Sequence, residues 1–394
     1  MMPTLGDYIR IKHGYAFKGD YITTEDNGIV LVTPGNFEIG GGFKERKCKF
    51  FSSDYPDEYV LSAGDLIVTM TDLSKQGDTL GYSARVPRSG RKYLHNQRIG
   101  LVDVFNPAAD KDYIYWFMRT PRYQKTIVAT ASGSTVKHTS PSRICAVEIM
   151  LPSLGVQRKI AALLSSLESK IESNKRINDN LQQQALSVFR KAFINIKGLP
   201  SSWTKGCLLD IADYLNGLAM QKFRPSENEI GIPVLKIKEL RQGSCDASSE
   251  LCSPSIKTEY IIHDGDVVFS WSGSLLVDIW CGGTCGLNQH LFKVTSKTYD
   301  KWFYYLWTAH HLERFIAIAA DKATTMGHIK REELSKAEVV IPSQNDYEKI
   351  GAVLQPMIDL IIANRIESKK LATLRDELLP KLMSGEIDMS EVEI

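Results

Sequence analysis

Cysteines are the side chains of this sequence with the clearest potential for metal chemistry. Cys245, Cys252, Cys281 and Cys285 fall in one stretch of the second half and could be imagined as zinc ligands. Their spacings do not form the C-x₂-C pairs of common zinc sites, and the first half has no matching set. We therefore expect no metal site, with zinc as the alternative. The chain has seven cysteines, an odd number, which favours free thiols in a reducing cytosol.

Catalytic motifs are also missing from the sequence. We find no G-x-x-x-x-G-K-[ST] phosphate loop and no G-x-G-x-x-G string after a predicted strand. Asn106-Pro107-Ala108 reads as a turn, without the second proline and aromatic residue that an amino-methyltransferase needs to hold a base amine. Glu45-Arg46-Lys47 has nuclease-like Glu-x-Lys spacing, but a charged hairpin strand is the simpler interpretation. We predict a non-catalytic protein with no cofactor of its own.

Polar loops suggest hydrogen bonding to nucleic acid instead. Formal net charge is only +2, so any binding must come from local patches. Specific readout needs donors and amides at base edges, with Lys, Arg and hydroxyl groups at phosphates. The candidates in the first half are Thr71, Lys75, Gln76, Lys92, Tyr93, His95, Ser134, Thr135, Lys137, His138 and Arg143. Those in the second half are Lys222, Arg224, Lys238, Arg241, Trp271, Ser272, Ser274, Lys322, Thr324, Thr325, His328 and Lys330.

Each of these candidates has a plainer alternative as a solvated surface side chain. Trp271 could stack on a base or sugar, but tryptophan usually packs inside a protein. Asn96-Gln97 and Asn288-Gln289 recur at equivalent points of the two halves. Amides can bind adenine bidentately, yet the recurrence of the pair in both halves argues for a structural role at least as strongly.

The elements that position these residues form two tandem copies of one pattern. Three sets of landmarks recur in the same order. Leu5, Asp7, Gly14 and Ala16 are matched by Leu208, Asp210, Gly217 and Ala219. Gly64-Asp65 is matched by Gly265-Asp266, and Val147–Pro152 is matched by Ala337–Pro342. In both copies a Gly-Asp turn leads into a β-rich run, as at the start of a hairpin. Short strands mixed with one or two helices predict an α+β fold for each globular part.

A long helical segment with a heptad seam follows each globular part. The seam residues are Ile160, Leu164, Leu167, Ile171, Asn174 and Leu181 in the first segment, and Ile350, Leu354, Met357, Ile361, Asn364 and Leu371 in the second. Asn174 and Asn364 occupy equivalent places, and a buried Asn in a seam fixes register. We predict that the two helices pair as an antiparallel coiled coil with pseudo-twofold symmetry; ordinary domain-capping helices are the alternative. Pro380 should kink or end the second helix near its C-terminus.

These patterns predict four segments along the chain. Residues 1–152 and 198–342 form two globular domains, while 153–197 and 343–394 form the long helical segments. The boundary near 198 has the Gly, Pro and Ser content of a linker.

Several strings resemble the specificity subunits of type I restriction–modification systems. Gly14-Tyr15-Ala16-Phe17-Lys18 resembles the opening of a target recognition domain of that family. The run from Leu151 to Asn178 resembles its central conserved region, and the run from Leu378 to Ile387 resembles its distal conserved region. Val156 departs from the family, which often has an acidic residue there. The resemblance covers essentially the whole chain and is strongest in the helices.

The resemblance implies a role in double-stranded DNA recognition. Each recognition domain would read one half of a bipartite target, and the helices would set the half-site spacing and dock two methyltransferase subunits. Motor–nuclease subunits would join for restriction. The partner subunits, and not this chain, would use S-adenosylmethionine, ATP and Mg²⁺. No apolar run approaches the roughly 20 residues of a membrane span, so we expect a cytoplasmic protein with no membrane contact.

Two alternatives to this function stay open at this point. One is the specificity subunit of a related two-sided-cleaving system or of a solitary methyltransferase. The other is a coiled-coil scaffold without DNA binding. The hydroxyl-rich basic loops at equivalent points of both copies argue against the scaffold.

Overall fold

The structure is a computed structural model that describes residues 2–74, 76–321 and 329–392, without the side chain of Asp321. Contacts between Cα atoms divide the chain into two compact units. Unit 1 consists of Met1–Ser169 with Thr373–Ile394, and unit 2 of Lys170–Ala372. Both units mix strands with short helices, which confirms the predicted α+β class. Among the described helices, none is long and apolar enough to cross a membrane.

Unit 1 builds its sheets from short strands connected by turns. The strands are β1 (Ile9–His13), β2 (Ile22–Thr23), β3 (Ile29–Val32), β4 (Lys49–Phe51), β5 (Val60–Leu61), β6 (Leu66–Thr69), β7 (Thr71–Asp72), β8 (Ser83–Arg85), β9 (Lys92–His95), β10 (Ile99–Val104) and β11 (Lys137–His138). The helices are α1 (Lys111–Phe117), α2 (Pro121–Ala129), α3 (Pro141–Cys145) and the long α4 (Leu154–Phe189), which continues into unit 2.

Unit 2 repeats this arrangement of elements. Its strands are β12 (Thr204–Cys207), β13 (Asp213–Asn216), β14 (Ile232–Leu235), β15 (Leu251–Cys252), β16 (Ile261–Ile262), β17 (Val267–Ser270), β18 (Leu276–Ile279), β19 (Cys285–Leu287), β20 (Leu291–Thr295) and β21 (Glu338–Ile341). Its helices are α5 (Leu208–Ile211), α6 (Ile237–Gln242), α7 (Lys301–His310), α8 (Leu312–Asp321), α9 (Glu332–Ser335) and the long α10 (Gln344–Ser384), which continues into unit 1.

The strand order makes the tandem repeat explicit. Unit 1 has an antiparallel sheet of order β1-β10-β6-β8, and unit 2 has the matching order β13-β20-β17-β18. A second sheet has the order β2-β4-β3-β9-β5 in unit 1 and β15-β14-β19-β16 in unit 2. In both second sheets one pair is parallel, β3 with β9 and β14 with β19.

One strand of each unit lies between two hydrophobic cores. Successive side chains of a strand point to opposite faces. In β6, Leu66 and Val68 pack on the core that includes the helices of unit 1, whereas Ile67 packs with the second sheet. In β17, Val267 and Phe269 pack on the core that includes the helices of unit 2, whereas Val268 packs with the second sheet of that unit. The β-rich run after each Gly-Asp turn is therefore apolar without alternation because both of its faces are buried.

The glycines of the repeat occupy places that have no room for a side chain. A Cβ atom on Gly14 would lie 2.3 Å from the carbonyl oxygen of Asn96, and one on Gly217 would lie 2.3 Å from that of Asn288. Gly64 and Gly265 begin their hairpins with φ of +83° and +91°, a region that glycine adopts without strain.

The long helices carry the predicted seam on their covered side. All twelve seam residues are buried or half-buried. Within unit 2, Asn364 Nδ2 donates to Asn178 Oδ1 at 2.9 Å, and Asn178 Nδ2 donates to the carbonyl of Ile361 at 3.2 Å. Asn174 Nδ2 donates to Glu367 Oε2 at 2.6 Å. Residues later in α4 contact residues earlier in α10, so these stretches of the two helices run antiparallel. A regular coiled coil over the full helix length, its symmetry and the four segment boundaries stay predictions.

The ends of the long helices differ in detail from the expectation. Helix α10 continues through Pro380 and ends at Ser384, one turn later. A proline removes one backbone donor, and near the end of a helix that loss is small. Helix α4 passes into a short π-helical turn, Arg190–Ile194, before the linker. Such turns are rare and occur mostly as single insertions in α-helices.

Candidate nucleic-acid interface

The polar edge of unit 1 begins where strand β6 ends. β7 pairs with β11 so that Thr71 lies opposite His138 and Asp72 opposite Lys137. Thr69 Oγ1 donates to the carbonyl of Thr71 at 2.9 Å, which holds the chain after the strand. Two loops that are far apart in the sequence, one after β6 and one at residues 132–138, are thereby brought together.

A histidine forms the exposed centre of this edge. The ring of His138 is exposed, while Thr71 is buried and its Oγ1 lies 3.1 Å from His138 Nδ1. His138 N–H donates to the carbonyl of Ser132 at 2.8 Å, and Ser132 N–H donates back at 2.9 Å. Arg143 Nη1 donates to Ser132 Oγ at 3.2 Å. The arrangement places one imidazole and one guanidinium on a backbone fixed by hydrogen bonds.

A buried carboxylate shapes the loop beside this edge. Asp72 accepts hydrogen bonds from the backbone N–H of Ser74 at 2.6 Å and from Thr79 Oγ1 at 2.7 Å. Burial raises the pKa of Asp72, but the hydrogen bonds from Ser74 and Thr79 outweigh it, and the pKa lies below its usual range. The ionised carboxylate thus orders a loop that exposes Gln76.

Unit 2 builds its polar edge at the same point with different side chains. After β17, Ser272 Oγ lies 3.0 Å from His290 Nδ1. Trp271 is half-buried, its Nε1 donates to Asn216 Oδ1 at 2.9 Å, and its ring lies 5.7 Å from that of Phe292. Trp271 therefore packs against the sheet, as tryptophan usually does.

Basic side chains of unit 2 lie beside carboxylates. Glu250 makes ion pairs with Arg224 at 2.9 Å and with Lys236 at 2.5 Å. Lys238 lies 3.4 Å from Asp246. The hydrogen bond and charge of Lys236 lower the pKa of Glu250. These carboxylates offset part of the positive charge of the arginine and lysine side chains. The surface therefore carries hydrogen-bond donors among charges of both signs.

Two of the predicted DNA-binding residues lie in the core. Tyr93 and His95 are 3% and 1% exposed. The hydroxyl of Tyr93 donates to Glu45 Oε1 at 3.0 Å, and His95 Nε2 lies 2.8 Å from the carbonyl of Ile99. Burial lowers the pKa of His95 and raises that of Tyr93. Both side chains support strand β9, and we leave them out of the interface.

The recurring asparagines have the same structural role in both units. Asn96 Oδ1 accepts from the backbone N–H of Arg98 at 3.0 Å, and Asn288 Oδ1 accepts from that of His290 at 3.3 Å. Both side chains are buried. Each closes the turn before the next strand, which favours the structural interpretation of the repeated Asn-Gln pair over base readout.

The remaining predicted residues divide by exposure. The exposed ones are Gln76, Lys92, Ser134, Thr135, His138, Arg143, Lys222, Arg224, Lys238, Arg241, Ser274 and Lys330. Lys137 and Trp271 are half-buried, while Thr71 and Ser272 are buried beneath their histidines. The predictions for Lys75, Lys322, Thr324, Thr325 and His328 lie outside the described residues. Sequence reasoning missed His290, although it directly follows the recurring Asn288-Gln289 pair.

The cysteines contribute no recognisable metal centre. In the part of the chain that the structure describes, no group of three or more His, Cys, Asp or Glu side chains could hold a metal ion. All seven cysteines are free thiols. Burial raises the pKa of Cys281 to about 11 and also raises that of Cys252. Both thiols therefore stay protonated, and they behave as small apolar residues.

Two copies of one sheet pair, each followed by a long helix and each exposing a polar edge, define a tandem-repeat α+β protein. A family model described as type I restriction modification DNA specificity domain matches this chain twice, over residues 1–183 and 200–374. The chain belongs to that family. The two matches coincide with the two copies of the repeat.

Curated relatives and a solved structure are similar along most of the chain. The type I restriction enzyme MjaIX specificity subunit of Methanocaldococcus jannaschii is 27% identical over 71% of this chain and 70% of its own length. The type I restriction enzyme EcoBI specificity subunit of Escherichia coli is 22% identical over 96% and 84%. The crystal structure of the type I restriction–modification S subunit from M. genitalium has a TM-score of 0.62 at 15% identity, over 97% of this chain and 95% of that one. The last likeness shows the shared fold.

Proposed function

We propose that this chain is the DNA-binding specificity subunit of a type I restriction–modification complex and catalyses no reaction itself. Each unit reads one half of a bipartite target through its polar edge. One observation carries the proposal: the units repeat the same strand order, yet the edge after β6 presents Thr71 and Arg98 where the edge after β17 presents Ser272 and His290. A repeated scaffold whose two polar edges carry different side chains suits two domains that read different sequences.

Readout by such an edge depends on donors held in fixed positions. Contacts to phosphates orient a protein on the duplex, and contacts to base edges carry the sequence information. In unit 1 His138 stands on a paired strand, Arg143 stands on helix α3, and Gln76 stands on a loop ordered by Asp72. Fixed donors lose little conformational entropy on binding, so they discriminate between bases more sharply than mobile ones.

The two long helices set the spacing between half-sites and dock the partner subunits in this proposal. Two methyltransferase subunits bind the helical region, and motor–nuclease subunits join for restriction. S-adenosylmethionine, ATP and Mg²⁺ are used by those partners, in the cytoplasm. The segments 153–197 and 343–394 act as spacers, and 1–152 and 198–342 act as recognition domains. The hydrogen bond between Asn178 and Asn364 supports this arrangement because it fixes the register of α4 against α10.

A binding experiment with the assembled methyltransferase complex tests the proposal. We expect retardation of a random-sequence DNA pool, strong weakening of binding as salt rises, and enrichment of one bipartite motif after selection. The matched control is the methyltransferase subunits without this chain, which should select no motif. Failure of the full complex to bind DNA would favour a protein-binding scaffold instead.

A further inference from the structure

We propose that His138 of unit 1 presents its imidazole Nε2–H to a hydrogen-bond acceptor on DNA, with Thr71 as its positioning residue. This inference rests on the proposed function and names a contact of the same interface. The acceptor is a purine N7 or a phosphate oxygen, which share the chemistry of an exposed lone pair.

The hydroxyl of Thr71 sets the protonation pattern of the ring. Thr71 is 3% exposed, and within the described residues His138 Nδ1 is the partner of its Oγ1, at 3.1 Å. A buried hydroxyl that does not donate loses the hydrogen bond it made with water. Donation from Thr71 to Nδ1 requires that Nδ1 carry no proton, so the single proton of the neutral ring sits on Nε2. The outward-facing nitrogen is then a donor.

The backbone around His138 holds this donor in place. Strand β11 is paired with β7, and the next residue, Thr139, donates its N–H to the carbonyl of Met70 at 3.0 Å. His138 also exchanges two backbone hydrogen bonds with Ser132. An exposed ring on a backbone fixed from both sides is preorganised for one direction of contact.

Positive charge next to the ring favours an electron-rich ligand. Arg143 is exposed, donates to Ser132 Oγ, and has no ion pair among the described side chains. Basic residues of unit 2, such as Arg224, are by contrast paired with carboxylates. A guanidinium without a carboxylate partner beside an Nε2–H donor matches the major-groove edge of a purine or a phosphate.

The histidine beside the equivalent hydroxyl of unit 2 is His290, which occupies the place of Arg98 and not that of His138. His290 also has its Nδ1 beside a buried hydroxyl, that of Ser272, but its Nε2 lies 3.3 Å from the side-chain amide of Gln289. The outward nitrogen of His290 is therefore already engaged. The counterpart of His138 in unit 2 is His328, which lies outside the described residues, so the proposal is confined to unit 1.

The test uses the chain in complex with its methyltransferase subunits and the motif identified for that complex. Duplexes carry 7-deazaadenine or 7-deazaguanine at one purine of a half-site, or a methylphosphonate at one phosphate. We expect one substitution to weaken binding of the wild-type complex about 10-fold, the scale of one lost base contact. The same substitution should have no further effect on His138→Ala. If a deazapurine weakens binding of the wild-type complex only, the acceptor is a base nitrogen. If a methylphosphonate does so, the acceptor is a phosphate oxygen.

Matched variants separate positioning from folding. Thr71→Val removes the hydroxyl at nearly constant shape and should reduce sensitivity to the same substitution, whereas Thr71→Ser should retain it. His13→Ala removes an exposed histidine of strand β1 and should behave as wild type. If His138→Ala and wild type respond equally to every substituted duplex, the inference is overturned while the proposed function stands. If the wild-type complex selects no motif, the proposed function fails as well.

Discussion

Gly14 lies where one added methyl group would clash with the backbone of unit 1. Its Cβ would meet the carbonyl oxygen of Asn96 at 2.3 Å, and backbone cannot move aside as a flexible side chain can. We expect Gly14→Ala to lower the free energy of unfolding by about 1–3 kcal/mol, the usual cost of overpacking. Thermal or urea denaturation measures this. Gly19→Ala is the matched control, since a Cβ there meets nothing within 4 Å. Equal effects of both variants would contradict the proposed close approach.

His311 should make unit 2 sensitive to acid. Burial lowers the pKa of His311 to about 4, although its hydrogen bond to the carbonyl of Glu338 opposes the shift. As the pH falls, the imidazole of His311 takes up a proton near pH 6.5 in the unfolded chain, and only near pH 4 in the folded protein. The stabilising contribution is therefore complete above about pH 6.5 and is lost as the pH falls toward 4, by up to about 3 kcal/mol.

Denaturant titrations at several pH values check the effect of His311. The wild-type chain should lose more stability between pH 7 and pH 4.5 than His311→Gln, which has no proton to take up in this range. Parallel pH profiles for the two proteins would show that His311 titrates normally.

The sequence reveals which site residues are polar, but not which of them are paired or buried in the fold. Thr71 and His138 could each be selected as polar loop residues, but their pairing is a contact between positions 67 apart. His95 is a candidate DNA-binding residue from its polar type, whereas the structure buries it and its Nε2 lies 2.8 Å from the carbonyl of Ile99. Contacts between distant segments decide burial, and local residue types do not reveal them.

At the scale of elements, the hydrogen bond between α4 and α10 can be measured as a coupling energy. Asn364 Nδ2 donates to Asn178 Oδ1 at 2.9 Å, and both side chains are buried. In a double-mutant cycle of Asn178→Ala and Asn364→Ala we expect a coupling of about 1 kcal/mol in the free energy of unfolding, as for a typical buried hydrogen bond. Asn180→Ala with Asn364→Ala is the control, because Asn180 is exposed. A coupling near zero for the buried pair would contradict the contact.

The elements were more predictable than the site. Periodicity of apolar residues is a local signal, so the two long helices and the strands after each Gly-Asp turn could be read directly from the sequence. The end of α10 could not, because the helix continues one turn past Pro380. Leu379 and Leu382 pack into the core of unit 1, and that burial offsets the backbone donor that proline lacks.

At the scale of the whole molecule, the proposed spacer role of the helices predicts a change in target spacing. Seven residues inserted into α4 after Asn178, with seven more before Asn364 in α10, preserve the heptad pattern and add about 10 Å of helix. We expect the spacer of the recognised motif to lengthen by at most about three base pairs, the length of DNA that spans this distance. The half-sites themselves should not change. Selection from a random DNA pool measures both, and altered half-sites would contradict the spacer role.

The central claim is that this chain directs DNA modification to a bipartite sequence. Methylome sequencing of the host, with and without the gene for this chain, tests it most directly. We predict that one split, asymmetric motif with methylated adenine disappears when the chain is removed and returns when it is restored. A methylome that is identical with and without the chain would contradict the claim.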